Sequence, residues 1–385
     1  MITYNGTIIT GVGGAWMTHS VPAPAAYTLR FRFDDDYSRT PPLPRTPGTG
    51  APKGSWSRVV DMTGVVWDYT YENSDWSSLF LYWEVHDDVI DHYESQPTDM
   101  YTANCRIIDS GDLSGVQAWY NTFGSQYGGF LHLSSVYIPA TMSCGPSAVQ
   151  AHQMFAYCKD LETVNIYAMN VDCIEAFMGC SKLKTVTIQS TIQPQPVGNF
   201  THAMSMFQGC TSLESVNLSI QSLHSSQGCY AMFKNCSSLV SPPSASQLPT
   251  STVTDMSDMF MGCSSLTSVP NYDTSSASNM SYMFYGAGLI TAPALNTAAC
   301  KDLSYMFFNC KSLTALPTYN YNSATNVNHM FHNSWNASGA LAVYNVMSTN
   351  ANITKHTGTF SQCGLNLPDY DTVMAQIPTS WGGTA

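Results

Sequence analysis

Charged residues are scarce in this sequence, at 10% of 385 residues, against about a quarter in ordinary soluble domains. Positive charge is the scarcest, because residues 131–385 contain only seven basic side chains, all of them lysine. Nucleic-acid binding depends on basic side chains that neutralise phosphates, and anionic membrane surfaces attract the same side chains. The formal net charge of −12 therefore argues against both kinds of partner.

Long apolar runs are also missing. No segment reaches the 18 or more apolar residues that a membrane-spanning helix needs, and the first 20 residues, "MITYNGTIITGVGGAWMTHS", have neither a basic start nor an apolar stretch typical of a signal peptide. The sequence thus predicts no membrane span and no signal peptide. We expect synthesis in a host cytoplasm and release by a route other than ordinary secretion, such as lysis of the host cell.

Motifs for catalysis are absent: the sequence has no G-x-S-x-G, no P-loop and no G-x-G-x-x-G after a strand. The densest polar cluster, "EVHDDVIDHYE" at 84–94, has two histidines six residues apart, a spacing that fits neither a helix face nor a zinc finger. A solvated acidic segment and a bound cation both remain open there, and Asp34–Asp36 present the same choice for Ca²⁺. We predict no catalytic residue, no metal and no cofactor, with a polysaccharide-acting enzyme as the less favoured alternative.

A repeat runs through the last two thirds of the chain, and its anchor is a phenylalanine that returns every 22 to 30 residues. The nine anchors are Phe155, Phe177, Phe207, Phe233, Phe260, Phe284, Phe307, Phe331 and Phe360. Met precedes seven of them. The position Phe+3 is most often cysteine: Cys158, Cys180, Cys210, Cys236, Cys263, Cys310 and Cys363. The position Phe+6 is most often leucine: Leu161, Leu183, Leu213, Leu239, Leu266 and Leu313.

The apolar positions of each repeat are Phe−4, Phe−1, Phe and Phe+3, which is the spacing of one face of a two-turn helix. After the leucine, segments such as "LETVNI" and "LESVNL" alternate apolar and polar residues, as a strand does. The pattern therefore predicts a helical turn, a short strand and a polar connection per repeat. Such units bury their apolar face only by stacking in parallel, which places the Phe, Met, Cys and Leu positions in the core.

The cysteines at Phe+3 allow three interpretations. Two repeats have Ala287 or Ser334 there, which share small volume with cysteine, and a buried free thiol behaves as a small hydrophobe. No CxxC pair occurs, and disulfides are rare in chains made without secretion. Packing is the favoured interpretation, with a disulfide or metal ladder as the alternatives.

The blocks "NYDTSSASNMSYMFYG" and "LSYMFFNCKSLTALP" resemble the BspA-like leucine-rich repeat family, with its Thr-Ser-x-x-x-x-Met-Ser-x-Met-Phe-x-x-Cys-x-x-Leu pattern. The resemblance covers about 130–365. It implies a right-handed solenoid used for adhesion or recognition, without catalysis. Pro270, Pro293 and Pro317 depart from a strand pattern, so the ladders there are expected to be short.

The first third is predicted to form strands. Its segment "YTLRFRF" alternates apolar and polar residues, and "VVWDYTY" is rich in β-branched and aromatic residues. The fold class predicted is a β-rich, mixed α/β repeat, with a leucine-rich-repeat-like right-handed solenoid preceded by a small antiparallel β domain. The predicted boundaries are 1–115 for the β domain, with a Pro/Gly-rich loop at 40–56, then 116–367 for the solenoid and 368–385 for a C-terminal cap or tail. A strand near "CRIIDSGDL" is expected to pass into the solenoid.

The connections between repeats mix aromatic rings with amides and hydroxyls, a composition that suits sugar binding but also simple solubility. The predicted recognition residues are Tyr272, Tyr319, Tyr321 and Trp335.

The opening "MITYNGTIIT" is similar to openings of minor structural proteins of bacteriophages. We therefore expect a virion protein (tail fibre, head fibre or decoration) that contacts other virion proteins through its first domain. Its solenoid is expected to contact a bacterial surface glycan or protein, and homo-oligomers are compatible with the sequence. The alternative is a bacterial cell-surface adhesin.

Overall fold

The computed structural model describes residues 152–166, 171–192 and 201–384, and, before residue 152, the nine strands β1 to β9. The chain divides into two compact units, Met1–Asn199 and Phe200–Ala385. Its strands are β1 (Ile2–Tyr4), β2 (Thr7–Val12), β3 (Ala15–Ser20), β4 (Ala26–Phe33), β5 (Ser55–Asp61), β6 (Gly64–Glu72), β7 (Cys105–Asp109), β8 (Ser135–Ile138), β9 (Val149–Gln150), β10 (Thr163–Ile166), β11 (Val171–Asp172), β12 (Thr185–Ile192) and β13 (Ser215–Ile220). Its helices are α1 (Ala340–Met347), α2 (Tyr370–Met374) and a 3-10 helix (Thr379–Trp381).

The first unit contains a mixed sheet in which β12, β10, β8, β7, β4, β6 and β5 are neighbours in that order. Strands β4, β5 and β6 pair antiparallel, whereas β8, β10 and β12 pair parallel. Strand β7 pairs antiparallel with β4 and parallel with β8, so the sheet changes direction at the strand expected near "CRIIDSGDL". Strands β1 to β3 form a separate antiparallel sheet, and β9 pairs with β11.

Several predicted features lie outside the described residues. These are the acidic cluster at 84–94, the carboxylates at 34–36 and the Pro/Gly-rich loop at 40–56, apart from the two residues of that loop that begin β5. Among the described residues, no helix has both the length and the apolar character that crossing a membrane requires.

The parallel strands place like residues side by side. In the backbone register, Val164 of β10 lies between Val136 of β8 and Val186 of β12. Val164 and Ile166 are buried, while the alternate residues of β10 are exposed. Strand β13 repeats the pattern with alternating buried residues. The strands predicted after the leucine are therefore present in these repeats, because alternation gives each strand one apolar face.

The second unit contains seven of the nine phenylalanine anchors, each in one rung, the name used here for one repeat. Their rings stack face to face from rung to rung, with centroid distances of 5.5 Å for Phe233–Phe260 and 5.9 Å for Phe260–Phe284. In the first unit, Phe155 and Phe177 stack at 5.3 Å. All nine phenylalanines are fully buried, and stacked aromatic pairs add about 0.5–1.5 kcal/mol beyond the area that they bury.

The helix predicted around each phenylalanine is wrong. In the rung of Phe284, Met283 N–H donates to Met280 O and Ala287 N–H donates to Phe284 O, which are the bonds of two separate β-turns. The third residue of each turn, Tyr282 and Gly286, has φ of 58° and 66°. A positive φ is incompatible with a right-handed helix and is the mark of a type II turn. Consecutive turns bury every third or fourth residue, so their apolar spacing imitates that of a helix.

The same two left-handed positions, Phe−2 and Phe+2, occur in all nine rungs. At Phe+2 the residue is glycine or asparagine in seven rungs: Gly179, Gly209, Asn235, Gly262, Gly286, Asn309 and Asn333. These two residue types adopt a positive φ at the least cost. The sequence therefore contained a signal for turns that the apolar spacing obscured.

In the turn segments, neighbouring rungs are joined by backbone hydrogen bonds that point toward the next rung. The amides of Asp258, Phe260 and Gly262 donate to the carbonyls of Ser281, Met283 and Tyr285 in the next rung. The amides of Met261 and Cys263 instead donate within their own rung, to Asp258 O and Phe260 O. Each turn segment thus satisfies its buried polar groups while it presents donors toward the next rung and acceptors toward the previous one.

An Asp/Asn-x-Ser element precedes Phe260, Phe284 and Phe307, and it has two structural roles. Asp302 Oδ1 accepts hydrogen bonds from the amide of Ser304 at 2.9 Å and from its hydroxyl at 2.6 Å. Asn279 does the same with Ser281. Isolated parallel bridges link Asp255, Asn279, Asp302 and Asn326 in series. These short side chains cap the backbone locally, as Asx turns do.

After β13 the rungs carry no further strand within residues 221–384. Proline stands at 270, 293 and 317, where the apolar alternation would otherwise continue, and single bonds replace a ladder: Ile290 N–H donates to Thr267 O, and Thr314 N–H donates to Ile290 O. Proline lacks the amide donor that a ladder needs, so the ladders are short there, as the sequence predicted.

The last rung of the second unit is covered by the C-terminal segment. Phe360 N–H donates to the carbonyl of Trp381 at 2.8 Å, in the same way that the preceding phenylalanines donate to the next rung. The Trp381 ring lies 6.3 Å from the Phe360 ring and stacks on His356 at 4.2 Å. One tryptophan therefore supplies both the carbonyl and the aromatic surface that a further rung would supply.

Candidate functional site

A strip of six half-buried aromatic side chains lies on the turn segments of three consecutive rungs. Each rung contributes the residues at Phe−2 and Phe+1, which belong to the turn segment and have side chains that are not fully buried. The aromatic strip consists of Tyr282, Tyr285, Tyr305, Phe308, His329 and His332. The rungs on either side have other residues at these positions, Asp258 and Met261 before and Gly358 and Ser361 after.

The rungs stack the strip into two columns. In the Phe−2 column the Tyr305 ring lies 4.6 Å from Tyr282 and 4.9 Å from His329. In the Phe+1 column the Phe308 ring lies 4.7 Å from Tyr285 and 4.8 Å from His332. These distances follow from the spacing of hydrogen-bonded rungs, about 4.8 Å between neighbouring backbones. The type II turn requires a positive φ at Phe−2, and Tyr305 has a φ of 57° there.

The two columns touch each other within every rung. Ring centroids are 5.8 Å apart for Tyr282–Tyr285, 5.6 Å for Tyr305–Phe308 and 5.2 Å for His329–His332, with the planes inclined by 31° to 50°. His329 Nδ1 and His332 Nδ1 lie 3.1 Å apart, so one imidazole donates and the other accepts. The strip is therefore one continuous aromatic surface rather than six isolated rings.

The phenol groups of the strip differ from those of the buried tyrosines. In the part of the chain that the structure describes, the hydroxyls of Tyr282, Tyr285 and Tyr305 have no hydrogen-bond partner, and all three rings are partly exposed. In contrast, Tyr272 Oη donates to Pro243 O at 2.6 Å, and Tyr319 Oη donates to Pro293 O at 2.8 Å. The strip thus leaves three phenol hydroxyls available for hydrogen bonding.

The strip is electrically neutral near pH 7. Partial burial lowers the pKa of His329, and partial burial together with the neighbouring His329 lowers the pKa of His332, so both imidazoles stay uncharged. Partial burial raises the pKa of Tyr282, with smaller contributions from Tyr305 and Asp258. The nearest charge in the Phe−2 column, Asp258, is paired with Lys234 at 2.7 Å.

The predicted recognition residues lie elsewhere, and two of them are in the core. Tyr272 and Tyr321 are each 3% exposed, and Tyr321 Oη donates to Pro317 O at 3.1 Å. Tyr319 is partly buried and holds a proline carbonyl in the same way. The structure therefore places these rings as internal supports for the connections instead of on the recognition surface that the sequence predicted.

Trp335, the fourth predicted recognition residue, is partly buried. Lys311 Nζ lies 4.0 Å from the centre of its ring, in cation–π geometry. Because a lysine occupies one ring face, that face is already engaged within the protein.

The predicted repeat core lies in the interior, and the structure adds a function for its cysteines. Cys263 Sγ donates to Phe233 O at 3.1 Å and Cys310 Sγ donates to Phe284 O at 3.0 Å, in each case the phenylalanine of the preceding rung. Ser334, in the same position, donates its hydroxyl to Phe307 O at 2.9 Å. A small side chain with a donor is thus what most rungs share at Phe+3, which small volume alone does not explain.

Burial favours the protonated form of several thiols, including Cys263 and Cys310. The ten described cysteines are buried and free. Burial raises the pKa of Cys263 and Cys310 to about 12. A protonated thiol donates a hydrogen bond but is a poor nucleophile and a poor metal ligand. Among the described residues, no group of three His, Cys, Asp or Glu side chains is arranged to hold a metal ion.

Sequence reasoning missed the aromatic strip, although the signal was present. The segments "SYMFYG", "SYMFFN" and "NHMFHN" place an aromatic ring at both Phe−2 and Phe+1 in three successive repeats. Attention to the connections between repeats favoured Tyr272 and Tyr321 instead. Alignment of the repeats on phenylalanine, read column by column, would have shown the strip.

The stacked rungs, the buried Phe, Cys and Leu columns and the parallel strands together form a repeat architecture. Residues 150–252 match the family model described as BspA type leucine rich repeat region, in six copies. Residues 227–344, which include the aromatic strip, match a second model described as Mycoplasma protein of unknown function, DUF285. The chain therefore carries BspA-type leucine-rich repeats, as the motif resemblance predicted. A search of curated proteins finds no match to the chain.

Proposed function

We propose that this protein recognises a bacterial surface through its repeats and has no enzymatic activity. The observation that carries the proposal is the aromatic strip, a partly exposed surface with three phenol hydroxyls that bond to nothing in the described chain. Large aromatic residues on a surface are typical of binding sites. The BspA-type repeats at residues 150–252 suggest adhesion or recognition at a surface, which agrees with this use.

The proposed architecture is a right-handed solenoid preceded by a small antiparallel β domain. Parallel pairing of β8, β10 and β12 supports the solenoid, and antiparallel pairing of β4, β5 and β6 supports the preceding domain. In this proposal the β domain attaches the protein to its carrier, and the repeats present the aromatic strip to the ligand.

The carrier that we propose is a bacteriophage virion, with the protein as a tail fibre, head fibre or decoration. The support is the likeness of "MITYNGTIIT" to openings of minor structural proteins of bacteriophages. A bacterial cell-surface adhesin is equally consistent with the BspA-type repeats, and it is the second candidate.

Binding to bacterial cells tests the recognition part of the proposal. Fluorescently labelled protein is incubated with a panel of bacterial strains, and the bound fraction is measured by flow cytometry. We expect saturable binding to some strains and not to others. Uniform absence of binding across the panel would contradict a role in surface recognition.

Density-gradient centrifugation of the source culture distinguishes the two carriers. The protein is followed with an antibody through fractions that separate phage particles from cell envelopes. Co-sedimentation with phage particles supports the virion, whereas recovery with the envelopes supports the adhesin.

A further inference from the structure

We infer that the aromatic strip is the binding site itself and that its ligand is an uncharged saccharide segment of a bacterial surface glycan. This inference rests on the proposed function and specifies the chemistry of the ligand. It is carried by four features of the strip: its free hydroxyls, its apolar ring surfaces, its small extent and its neutrality.

The free hydroxyls are the first feature. The buried tyrosines of this protein bond to proline carbonyls, whereas the hydroxyls of Tyr282, Tyr285 and Tyr305 bond to no group in the described residues. A phenol hydroxyl both donates and accepts. Sugar hydroxyls have the same dual capacity, so the strip matches a ligand with many hydroxyls and no charge.

The rings supply the apolar half of the same recognition. Each tyrosine, phenylalanine and histidine of the strip is half-buried, so ring carbons and ring edges share the surface with the hydroxyls. A sugar ring likewise has apolar C–H groups beside its hydroxyls. The stacking at 4.6 and 4.9 Å fixes the rings against each other, and a preorganised site loses little side-chain freedom when it binds.

The extent of the strip favours a short saccharide over a folded protein. The three rings of the Phe−2 column lie within about 10 Å, since neighbouring centroids are 4.6 and 4.9 Å apart, and the second column lies 5.2 to 5.8 Å to the side. A stable interface between proteins buries about 800 Å² on each partner. The strip alone is far smaller than this, but it has the dimensions of a few sugar rings.

The charges around the strip favour an uncharged ligand. Both imidazoles are neutral near pH 7, and Asp258 is already paired with Lys234. No unpaired lysine or arginine belongs to the strip to receive a sugar carboxylate or phosphate. An anionic glycan would therefore gain no ion pair here, and uncharged sugars are the class that fits.

Three variants separate the contribution of the hydroxyls from that of the rings. The triple variant Tyr282→Phe, Tyr285→Phe and Tyr305→Phe removes the hydroxyls and keeps the stack, since Phe308 already occupies the same column as Tyr285. Tyr305→Ala removes a central ring, and Ala231 shows that alanine adopts the required positive φ in this column. Tyr370→Phe is the matched control, a half-buried tyrosine of α2 outside the strip.

The experiment measures two kinds of binding for each variant. The first is binding to cells of a recognised strain, untreated, treated with protease, or treated with periodate, which cleaves the vicinal diols of sugars. The second is affinity for purified dextran, mannan, galactan and the polysaccharide extracted from that strain, by isothermal titration calorimetry.

The inference predicts that cell binding survives protease and is lost with periodate, and that the extracted polysaccharide binds. The triple variant should bind about 30- to 150-fold more weakly, because loss of two or three net hydrogen bonds corresponds to roughly that range. Tyr305→Ala should bind more weakly still, and Tyr370→Phe should bind like the unaltered protein.

Two results would overturn the inference and leave the proposed function intact. One is cell binding that protease abolishes and periodate does not, which assigns the ligand to a protein. The other is polysaccharide binding that neither the triple variant nor Tyr305→Ala weakens, which places the site off the strip. A protein that binds no cells of any strain would instead remove the proposed function and, with it, the inference.

Discussion

At the scale of single residues, the position Phe+3 joins neighbouring rungs through its side chain. We predict that Cys263→Ala lowers the free energy of unfolding by about 1 kcal/mol, because the bond from Sγ to Phe233 O is lost. The loss stays moderate since Phe233 O still accepts from the amide of Cys236. Cys263→Ser should cost less than the alanine variant, as Ser334 makes the same bond. Urea denaturation measures both, and a serine variant less stable than the alanine variant would contradict this role.

Phe260 lies in the middle of the phenylalanine column of the second unit, fully buried between Phe233 and Phe284. We predict that Phe260→Ala lowers the free energy of unfolding by roughly 3–5 kcal/mol, because it removes a large ring and leaves a cavity. Tyr282→Ala, at the surface of the next rung, is the comparison and should cost much less. A loss below about 1 kcal/mol for Phe260→Ala would contradict its place in the core.

The histidine pair of the strip should respond to acid. The pKa of both His329 and His332 is lowered in the folded protein, so below pH 6.5 the unfolded state binds more protons than the folded state. The stabilisation is therefore present above pH 6.5 and decreases as the pH falls. The rings that face the pair, Tyr305 and Phe308, carry no charge at these pH values to compensate.

NMR titration of the imidazole protons measures this effect directly. We expect both histidines to titrate below 6.5, with a shallower acid loss of thermal stability in His332→Phe, which keeps a ring in the stack. Titration of either histidine above 6.5 would contradict the assignment.

At the scale of elements, the turn segment determines which residues each rung accepts. We predict that Gly262→Ala is more destabilising than Gly286→Ala. Both positions have a positive φ, 75° and 66°, which costs alanine about 1–2 kcal/mol. A Cβ at Gly262 would also lie 2.5 Å from Asn235 Oδ1, whereas a Cβ at Gly286 meets nothing within 4 Å.

Gly286→Asn is the control for this pair, since Asn235 and Asn309 occupy the equivalent position in other rungs. It should be close to neutral in chemical denaturation. Equal losses for the two alanine variants would show that the neighbouring rung does not constrain the turn.

The sequence predicted the strands but not the turns, because only the strand has an apolar spacing of its own. Strand alternation has a period of two that no other element shares, so β10 and β13 were predicted from "LETVNI" and "LESVNL". The apolar period of three to four is common to helices and to consecutive β-turns, so it did not discriminate between them. Only the glycines and asparagines at Phe+2, such as Gly262 and Asn309, indicated a positive φ.

The candidate site was less predictable than the fold. A surface that spans three rungs depends on which residues of distant repeats lie side by side, as Tyr282, Tyr305 and His329 do at intervals of 23 and 24 residues. Composition pointed to the aromatic connections, but tertiary packing buried Tyr272 and Tyr321 there. Burial of a tyrosine beside a proline carbonyl is a property of the stacked structure that a single repeat does not contain.

At the scale of the whole molecule, the buried thiols make the free energy of unfolding decrease with pH in the alkaline range. Burial raises the pKa of Cys263, Cys310 and Cys363 from 9.0 to about 12. Between these values the unfolded state has lost the proton and the folded state has kept it. Each thiol therefore reduces the unfolding free energy by about 1.4 kcal/mol per pH unit as the pH rises through this range.

We predict a steep loss of stability between pH 9 and 11, measured as the urea midpoint at a series of pH values, with little change attributable to thiols from pH 7 to 8. The double variant Cys263→Ser and Cys310→Ser should lose less stability over the alkaline range. A midpoint that is constant from pH 8 to pH 11 would contradict the burial of these thiols.

The turn amides of Asp258, Phe260 and Gly262 donate to the next rung, so a turn segment with no rung after it would have backbone donors without partners. An exposed end of this kind is a template on which another chain can add, as at the edge of a sheet. Trp381 closes the donor end, because its carbonyl accepts the amide of Phe360 and its ring covers the last phenylalanine. We therefore expect the tryptophan to oppose head-to-tail addition of another chain at this end.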